Sequence, residues 1–285
     1  MTFNNINIEH GISQSTIEVI FQDSKGYIWL GTNDGLNRYN GYDFKIYNYE
    51  EDENSISHNG VTDIAEDNEG NIWVGTVQGV NKINLKTDEI TNYTENNNRI
   101  KDDSTTEIIV TKDNKILVGS YEGLNIYNKE KDSFEIILDE NDGILSNDIY
   151  SIDEDKHDNI WIGTALGINK ISKKFEILET YPINAEENSL GESEIYNIYC
   201  DDKYNLVWAG TDSSGLYKID TDTNKVTGYR NDPMDKNSIP SNQIGEIMRD
   251  SKGYLWVGTT DGLATYNEKT DNFEVYKHKI YDKIA

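Results

Sequence analysis

The chain has 285 residues, enough for one large or two small domains with a sizeable buried core. Its 52 acidic residues outnumber its 26 Lys and Arg, and a formal net charge of −26 would repel a nucleic-acid backbone or an anionic membrane. No run approaches the ~18 apolar residues of a membrane-spanning helix, and the first residues lack the pattern of a signal peptide. We therefore expect no nucleic-acid partner and no membrane contact by this segment. A single cysteine, Cys200, excludes an internal disulfide framework.

One pattern recurs along the chain: Asp-x-x-Gly, one variable residue, an apolar residue, Trp, an apolar residue, Gly-Thr, two variable residues, and Gly followed by an apolar residue. It occupies residues 23–36, 67–80, 155–168 and 250–263, with Asp158 in place of the turn glycine in the third of these. In a fifth copy Leu117 takes the Trp position, and the copy around Trp208 has one extra residue in its preceding turn. The Gly-Thr glycines stand at residues 31, 75, 119, 163, 210 and 258, and all five tryptophans share one register. The sequence therefore contains six copies of one unit.

Each unit predicts four short strands with turns between them. In the second unit these strands are residues 61–66, 71–76, 80–84 and 90–93, and the apolar run in the second strand indicates burial on both faces. A four-stranded sheet repeated every ~40 to 50 residues is the blade of a β-propeller. A β-solenoid is the alternative, but its coils are usually shorter.

We therefore predict an all-β fold, a β-propeller of four-stranded blades that forms a single domain over residues 1–285. Six complete repeats are visible, which fits six blades or a truncated seven-bladed ring. Residues 1–13 match the end of the unit at residues 134–144, so we expect them to supply the outer strand of a closing or missing blade.

The string from Asp23 to Tyr39 closely resembles the two-component-regulator propeller repeat, and the resemblance extends over residues 13–276. That repeat builds the extracellular sensor region of hybrid two-component systems, many of which respond to polysaccharide breakdown products. The resemblance implies an extracellular or periplasmic sensor region of a membrane protein. It also implies attached signalling domains, which this chain lacks.

Connectivity divides the loops between two faces of the predicted propeller. The Asp-x-x-Gly turns and the turns between strands three and four share one face, here called the constant face. The Gly-Thr-x-x-Gly turns and the long connections between units share the other, here called the variable face. Variable loops on a rigid frame commonly carry binding functions, so we expect the ligand to bind there.

The variable face offers Asn, Asp, Gln and Tyr side chains, which supply both donors and acceptors to a neutral polyol. The predicted ligand-binding residues are Asn33, Asp34, Gln78, Tyr121, Glu122, Asp212 and Asp261, with Asn59, Asn147 and Asn242 behind them. The last three share one register before strand one. An alternative for these three is a structural role, since Asn commonly satisfies loop backbone groups.

These observations favour a non-catalytic sensor module that binds a small polar ligand, such as an oligosaccharide, and passes the binding to an attached signalling domain. A protein-interaction scaffold would use the same loops. A third hypothesis is a propeller enzyme resembling the streptogramin lyases, which need a His and acidic metal site. The four histidines, His10, His58, His157 and His278, share neither a register nor a metal-ligand spacing. We therefore predict no catalytic residues, no metal and no cofactor.

Overall fold

The computed structural model describes residues 8–51, 54–184 and 190–277. Apart from three 3-10 helices of three residues each, the regular structure in these ranges is β-strand. Blade 1 consists of β1 (Val19–Gln22), β2 (Ile28–Thr32), β3 (Gly35–Tyr39) and β4 (Phe44–Tyr47). Blade 2 consists of β5 (Val61–Glu66), β6 (Asn71–Thr76), β7 (Gly79–Asn84) and β8 (Glu89–Tyr93). Blade 3 consists of β9 (Glu107–Val110), β10 (Ile116–Ser120), β11 (Gly123–Asn128) and β12 (Ser133–Leu138).

The later repeats form three further sheets. Blade 4 consists of β13 (Ile149–Glu154), β14 (Ile160–Thr164), β15 (Gly167–Ile171) and β16 (Ile177–Pro182). Blade 5 consists of β17 (Ile195–Asp201), β18 (Leu206–Thr211), β19 (Leu216–Asp220) and β20 (Lys225–Tyr229). Blade 6 consists of β21 (Ile244–Arg249), β22 (Leu255–Thr259), β23 (Gly262–Asn267) and β24 (Asn272–Tyr276).

All six sheets are four-stranded, with the strands in chain order and each antiparallel to the next. The fold is a six-bladed β-propeller, so the predicted fold class is confirmed. No helix in the described part of the chain is long and apolar enough to cross a bilayer.

The chain divides into two compact units. The first comprises Met1–Asp142 with Asn147–Ile149, and the second comprises Gly143–Ser146 with Tyr150–Ala285. Blades 1 to 3 therefore belong to the first unit, and blades 4 to 6 belong to the second apart from the first residue of β13. A single domain over residues 1–285 stays a prediction.

The predicted outer strand at the N-terminus falls mainly on residues 1–7, which lie outside the described residues. The following residues, Ile8–His10, form a 3-10 helix in the same register as Glu140–Asp142 at the end of the third repeat. Gly11 and Gly143, which end these two helices, both have a φ of +101°. Residues 8–13 therefore form a helical turn and a loop and not a strand, and that part of the prediction is corrected.

Neighbouring blades within a unit make close contact at the Gly-Thr glycines. A Cβ placed on Gly31 would lie 2.6 Å from Cγ1 of Val61 in the next blade, and one on Gly75 would lie 2.7 Å from Cγ2 of Thr105. The second unit repeats the contact between Gly163 and Ile195, and between Gly210 and Ile244. A side chain at these glycines would occupy the space that the next blade's innermost strand fills.

We expect Gly75→Ala to destabilise the protein by about 1–3 kcal/mol, because the added methyl group overpacks this contact. Gly258→Ala is the matched control, since the nearest atom to its added Cβ is 3.5 Å away. Urea unfolding of both variants measures the difference. Equal unfolding midpoints would show that the glycine contact does not limit the packing of the blades.

Four of the five tryptophans are tied to the constant face by a hydrogen bond inside their own repeat. The Trp29 indole N–H donates to Asp23 at 2.9 Å and that of Trp73 donates to Asp67 at 2.9 Å. The bond recurs at 3.0 Å in the Trp161–Asp155 and Trp256–Asp250 pairs. Burial alone would raise the pKa of Asp67, but its hydrogen bonds from Asn71 and Trp73 outweigh burial and hold the pKa below its usual value.

Two blades depart from this bond. In blade 3 both partners are replaced together, by Thr111 and Leu117. In blade 5 the carboxylate of Asp201 binds the Arg249 guanidinium instead, and the Trp208 indole N–H has no partner among the described residues. The altered repeats thus keep the apolar packing without the Asp–Trp bond.

We predict that Trp73→Phe costs about 1.5–3 kcal/mol more than Trp208→Phe, because only the first removes a hydrogen bond to a carboxylate. Both side chains are almost fully buried, so the loss of apolar volume is matched. The free energies of unfolding, measured in urea for both variants, provide the test. A smaller penalty at Trp73 than at Trp208 would contradict the role of the Asp–Trp bond.

Candidate functional site

The Gly-Thr-x-x-Gly turns of the variable face are held by the threonine side chain. In blade 2 the Thr76 hydroxyl donates to the Gly79 carbonyl at 3.0 Å and accepts the Gln78 N–H at 3.2 Å. Blades 1 and 3 repeat the arrangement with Thr32 and Ser120. The hydroxyl thus forms hydrogen bonds with backbone groups of its own turn, and the side chains of the two variable residues face solvent. Asn33, Asp34, Gln78, Tyr121 and Glu122 are all exposed.

The three registered asparagines hold the long connections in place. Each side-chain oxygen accepts a backbone N–H across its loop: Tyr49 to Asn59 at 2.6 Å, Glu140 to Asn147 at 2.7 Å, and Asn231 to Asn242 at 2.7 Å. These contacts show the structural role that the sequence offered as an alternative, in which Asn bonds to loop backbone. A role of the three residues in ligand binding stays a prediction.

Asp103 is a fourth member of this register that the sequence analysis missed. Its carboxylate accepts the Glu95 N–H at 2.6 Å, as the asparagines do in their loops. Burial raises the pKa of Asp103, the Glu95 N–H opposes that shift, and the charge of Asp102 adds to it. The 44-residue spacing from Asn59 would have identified this position despite the change of residue type.

Three of these turns are also joined to the connection that enters the next blade. The Gly35 N–H donates to the Asn59 carbonyl at 2.9 Å, and the Gly79 N–H donates to the Asp103 carbonyl at 2.7 Å. In the second unit the Gly215 N–H donates to the Asn242 carbonyl at 3.0 Å. The turn residues and the registered residues therefore lie side by side within a unit, as a shared binding surface requires.

In the first unit, Gln78, Tyr121 and Glu122 are brought together by the segment 101–103; we call them the first-unit patch. Asp103 binds the turn that carries Gln78, while Asp102 accepts the Tyr121 N–H at 3.1 Å. The Lys101 ammonium lies 3.8 Å from the Glu122 carboxylate. This segment links two adjacent turns, so one ligand can contact both.

Asn33 and Asp34 lie on the turn of blade 1, next to Asn59. The Asn33 side-chain amide donates to the Glu18 carboxylate at 2.7 Å, and the Asn33 N–H donates to the Gln14 side chain at 3.1 Å. Asn33 is therefore already bonded to its own blade. The exposed Asp34 carboxylate is the more accessible of the two groups.

The second unit carries a larger cluster, the second-unit patch, formed by Tyr150, Glu194, Tyr196, Asp212 and Gln243. The Gln243 amide donates to Asp212 at 3.1 Å, and the Tyr196 hydroxyl donates to Glu194 at 2.8 Å. The rings of Tyr150 and Tyr196 are 4.6 Å apart. The hydrogen bond to Glu194, together with burial, raises the pKa of Tyr196, so its hydroxyl stays a neutral donor.

Sequence analysis placed only Asp212 in this cluster. Tyr196 lies at a break in the register between β17 and β18, where Ile195 and Asn197 pair with consecutive residues of the partner strand. The bulge leaves Tyr196 unpaired and 41% exposed, although it lies within an inner strand. A tyrosine at the position where the second repeat has Thr62 is the only sequence signal of this feature.

Asp261 lies beside the second-unit patch. Its carboxylate pairs with the Lys277 ammonium at 2.5 Å, and the neighbouring Thr260 N–H donates to the Gln243 carbonyl at 3.3 Å.

In the described ranges, no three His, Cys, Asp or Glu side chains are grouped so that they could hold a metal ion. The His58 imidazole accepts the Gly60 N–H at 2.8 Å.

We expect Asn59→Ala to cost about 1 kcal/mol, because it removes the hydrogen bond that holds the connection at Tyr49. Gln78→Ala is the control on the same face, since its exposed side chain has no hydrogen bond among the described residues, and its stability should be unchanged. Thermal and urea unfolding measure both. Equal stability of the two variants would remove the structural role of Asn59.

Four segments of the chain, residues 11–34, 55–78, 143–165 and 238–261, match the family described as Two component regulator propeller. A stretch of 37 residues, 13% of this chain, is 54% identical to histidine kinase P4 of Formosa agariphila, of which it covers 3%. The chain is therefore far shorter than this relative.

Solved structures show the same fold. The extracellular domain of the putative one component system BT4673 from B. thetaiotaomicron is 24% identical, with a TM-score of 0.66 over 92% of this chain and 38% of that one. PorZ of Porphyromonas gingivalis is 22% identical, with a TM-score of 0.65 over 88% of this chain and 38% of that one. A virginiamycin B lyase from Staphylococcus aureus is 16% identical, with a TM-score of 0.59 over 77% of this chain and 70% of that one.

The matching segments lie in four of the six repeats, and each includes or approaches a Gly-Thr turn of the variable face. The chain spans less than two fifths of BT4673 and PorZ as solved. At these identities the solved structures share the fold, whereas the repeat itself is matched in sequence. The predicted resemblance is thus confirmed: four of the six repeats of this chain match the two component regulator propeller repeat.

Proposed function

We propose that this chain is the extracellular or periplasmic ligand-sensing propeller of a two-component-type signalling protein, and that a small polar ligand such as an oligosaccharide binds its variable face. The observation that carries the proposal is the arrangement of the turns. Their backbone groups are bonded to Thr or Ser hydroxyls and to neighbouring connections, while their variable side chains remain exposed.

A rigid turn with exposed side chains suits a binding site, because little conformational freedom is lost when the ligand binds. In the second-unit patch, the exposed edge of Tyr196 stands beside the carboxylates of Glu194 and Asp212 and the amide of Gln243. A sugar presents both hydroxyl groups and apolar ring faces, which match this mixture of polar and aromatic groups. The net charge of −26 favours a neutral or cationic ligand on this face.

The comparisons support a sensor role without excluding an enzyme. BT4673 was solved as the extracellular domain of a signalling protein, and the 37-residue match is to a histidine kinase. The lyase from Staphylococcus aureus has the same fold at 16% identity, so the fold alone does not choose between the two classes.

A protein-interaction scaffold is a second candidate, and one observation favours it. Val77 and Tyr121 are 49% and 50% exposed on the turns of two adjacent blades in the first unit. Exposed apolar side chains on neighbouring turns are typical of a surface that a protein partner covers. This surface overlaps the first-unit patch, so the two functions compete for the same residues.

A glycan array followed by calorimetry on the best binder tests the proposal. We expect Tyr121→Ala or Tyr196→Ala to weaken binding about tenfold or more, since aromatic anchors dominate small interfaces. Tyr254→Ala is the matched control, because Tyr254 is 56% exposed on an Asp-x-x-Gly turn of the constant face. Its affinity should equal that of the unaltered protein.

Two results would contradict the proposal. If no glycan or other small polyol binds the folded protein, the scaffold becomes the better hypothesis. If a ligand binds but only Tyr254→Ala weakens it, the binding face is the opposite one.

A further inference from the structure

The constant face of the first unit contains a cavity of about 130 Å³ between blades 2 and 3. Trp73 and Tyr127 form part of its wall, and three lysines line it: Lys82, Lys115 and Lys129. The chain has twice as many acidic residues as Lys and Arg, so three lysines at one cavity are unusual in this protein. With Asp67 and Glu69 also in the lining, the formal charge of the lining residues is +1, against −26 for the whole chain.

Two acidic residues also line the cavity, but both are already bonded. The Asp67 carboxylate accepts hydrogen bonds from the Glu69, Asn71 and Trp73 N–H groups and from the Asn71 side chain. The Glu69 carboxylate pairs with Lys129 at 2.5 Å, and Lys115 pairs with Asp113 at 2.9 Å. Neither lining carboxylate is paired with Lys82.

Lys82 differs from its counterpart in the second unit. Its ammonium lies 5.4 Å from the Trp73 ring centroid, as that of Lys218 lies 5.8 Å from the Trp208 ring centroid. Lys218 also pairs with the Asp271 carboxylate at 2.6 Å. Lys82 has no ion pair with any described residue, although the same register provides an aspartate in blade 3.

That aspartate, Asp132, is occupied by other groups. It accepts hydrogen bonds from the hydroxyls of Tyr93 and Tyr127 at 2.8 and 2.7 Å, and it pairs with Arg99 at 3.2 Å. Arg99 is therefore the cation that pairs with Asp132. In the second unit, Lys218 is the cation that pairs with Asp271. The Lys82 ammonium lies beside the cavity, 5.4 and 5.9 Å from the Trp73 and Tyr127 ring centroids, and it interacts with the Glu69 and Asp132 carboxylates only at longer range than an ion pair.

Hydrogen bonds also cross the corresponding cleft at other junctions within the units. Between blades 1 and 2, the Glu66 carboxylate accepts hydrogen bonds from the Ser24 N–H and hydroxyl at 2.6 and 2.7 Å. Between blades 4 and 5, Lys156 bonds to Asp202 and Asn205, and the cavity there is about 10 Å³. Between blades 2 and 3 the Glu66 position is Val110, and the Asn114 side chain accepts the Asn68 N–H at 2.8 Å instead, while the cavity beside it stays at about 130 Å³.

We propose that the cavity between blades 2 and 3 binds a small oxyanion, a phosphate or carboxylate group, through Lys82 with Lys115 and Lys129 at its rim. A lysine ammonium is a compact charge that binds such groups without a fixed planar geometry. The volume matches about four water molecules at ~30 Å³ each, which suits a group of this size. The Trp73 and Tyr127 rings exclude water and so strengthen the attraction between opposite charges.

The test is a titration of the folded protein with sodium phosphate and, separately, with sodium acetate, at an ionic strength held constant with sodium chloride. Calorimetry and tryptophan fluorescence report binding near Trp73. We expect saturable binding at one site, weakened about tenfold or more in Lys82→Met, which keeps an apolar side chain against the rings. Lys170→Met is the matched control, because Lys170 lies 5.1 Å from the Trp161 ring centroid and 3.6 Å from Glu179.

Absence of saturable binding for both anions, or equal affinity in Lys82→Met and the unaltered protein, would overturn the proposal. If Lys82→Met does not fold, Lys129→Met decides the question, since that side chain is 75% exposed and not needed for packing. Binding of phosphate alone indicates a phosphate ligand, and binding of acetate indicates a carboxylate ligand. Neither outcome depends on a ligand at the variable face.

Discussion

A blade of this protein is apolar on both faces, so it is stable only where another blade covers it. The Gly-Thr glycine makes that cover possible within each unit, because it leaves room for a side chain such as Val61 or Ile244 from the next innermost strand. The buried tryptophans fill the remaining space, and clusters of apolar residues span each junction inside a unit. The motif is therefore repeated because every junction inside a unit needs the same glycine and the same large apolar side chain to pack.

The same repeat separates structural from variable positions. On the constant face, the Asp-x-x-Gly turn is fastened to the core through the tryptophan indole. On the variable face, Thr, Ser and registered Asn or Asp side chains bind the loop backbone. Variation is thus confined to side chains that the frame does not need, and this is why ligand recognition can change without loss of the fold.

Departures from the repeat coincide with the features that distinguish one blade from another. Blade 3 lacks the Asp–Trp pair and has Val110 where blade 2 has Glu66, and the lysine-lined cavity lies at its junction with blade 2. In blade 5, a tyrosine occupies the bulge position that blades 2 and 6 also have, and Tyr196 is exposed there beside Glu194. Within the first unit, the lysine-lined cavity and the first-unit patch therefore lie on opposite faces of the blades.

The sequence by itself determined the six repeats, the four strands of each, and the assignment of turns to two faces, because these depend on local turn chemistry and on the spacing of glycine and tryptophan. It also placed Gln78, Tyr121 and Glu122 on the exposed turns. The tertiary structure decided which polar groups find partners. Asn59 and Asp103 bind loop backbone that only the folded connection brings near, and Tyr196 is exposed by a bulge that strand alternation does not predict. Among the described residues Lys82 makes no ion pair, whereas Arg99, from another part of the chain, pairs with Asp132, and this difference arises only once the blades have packed.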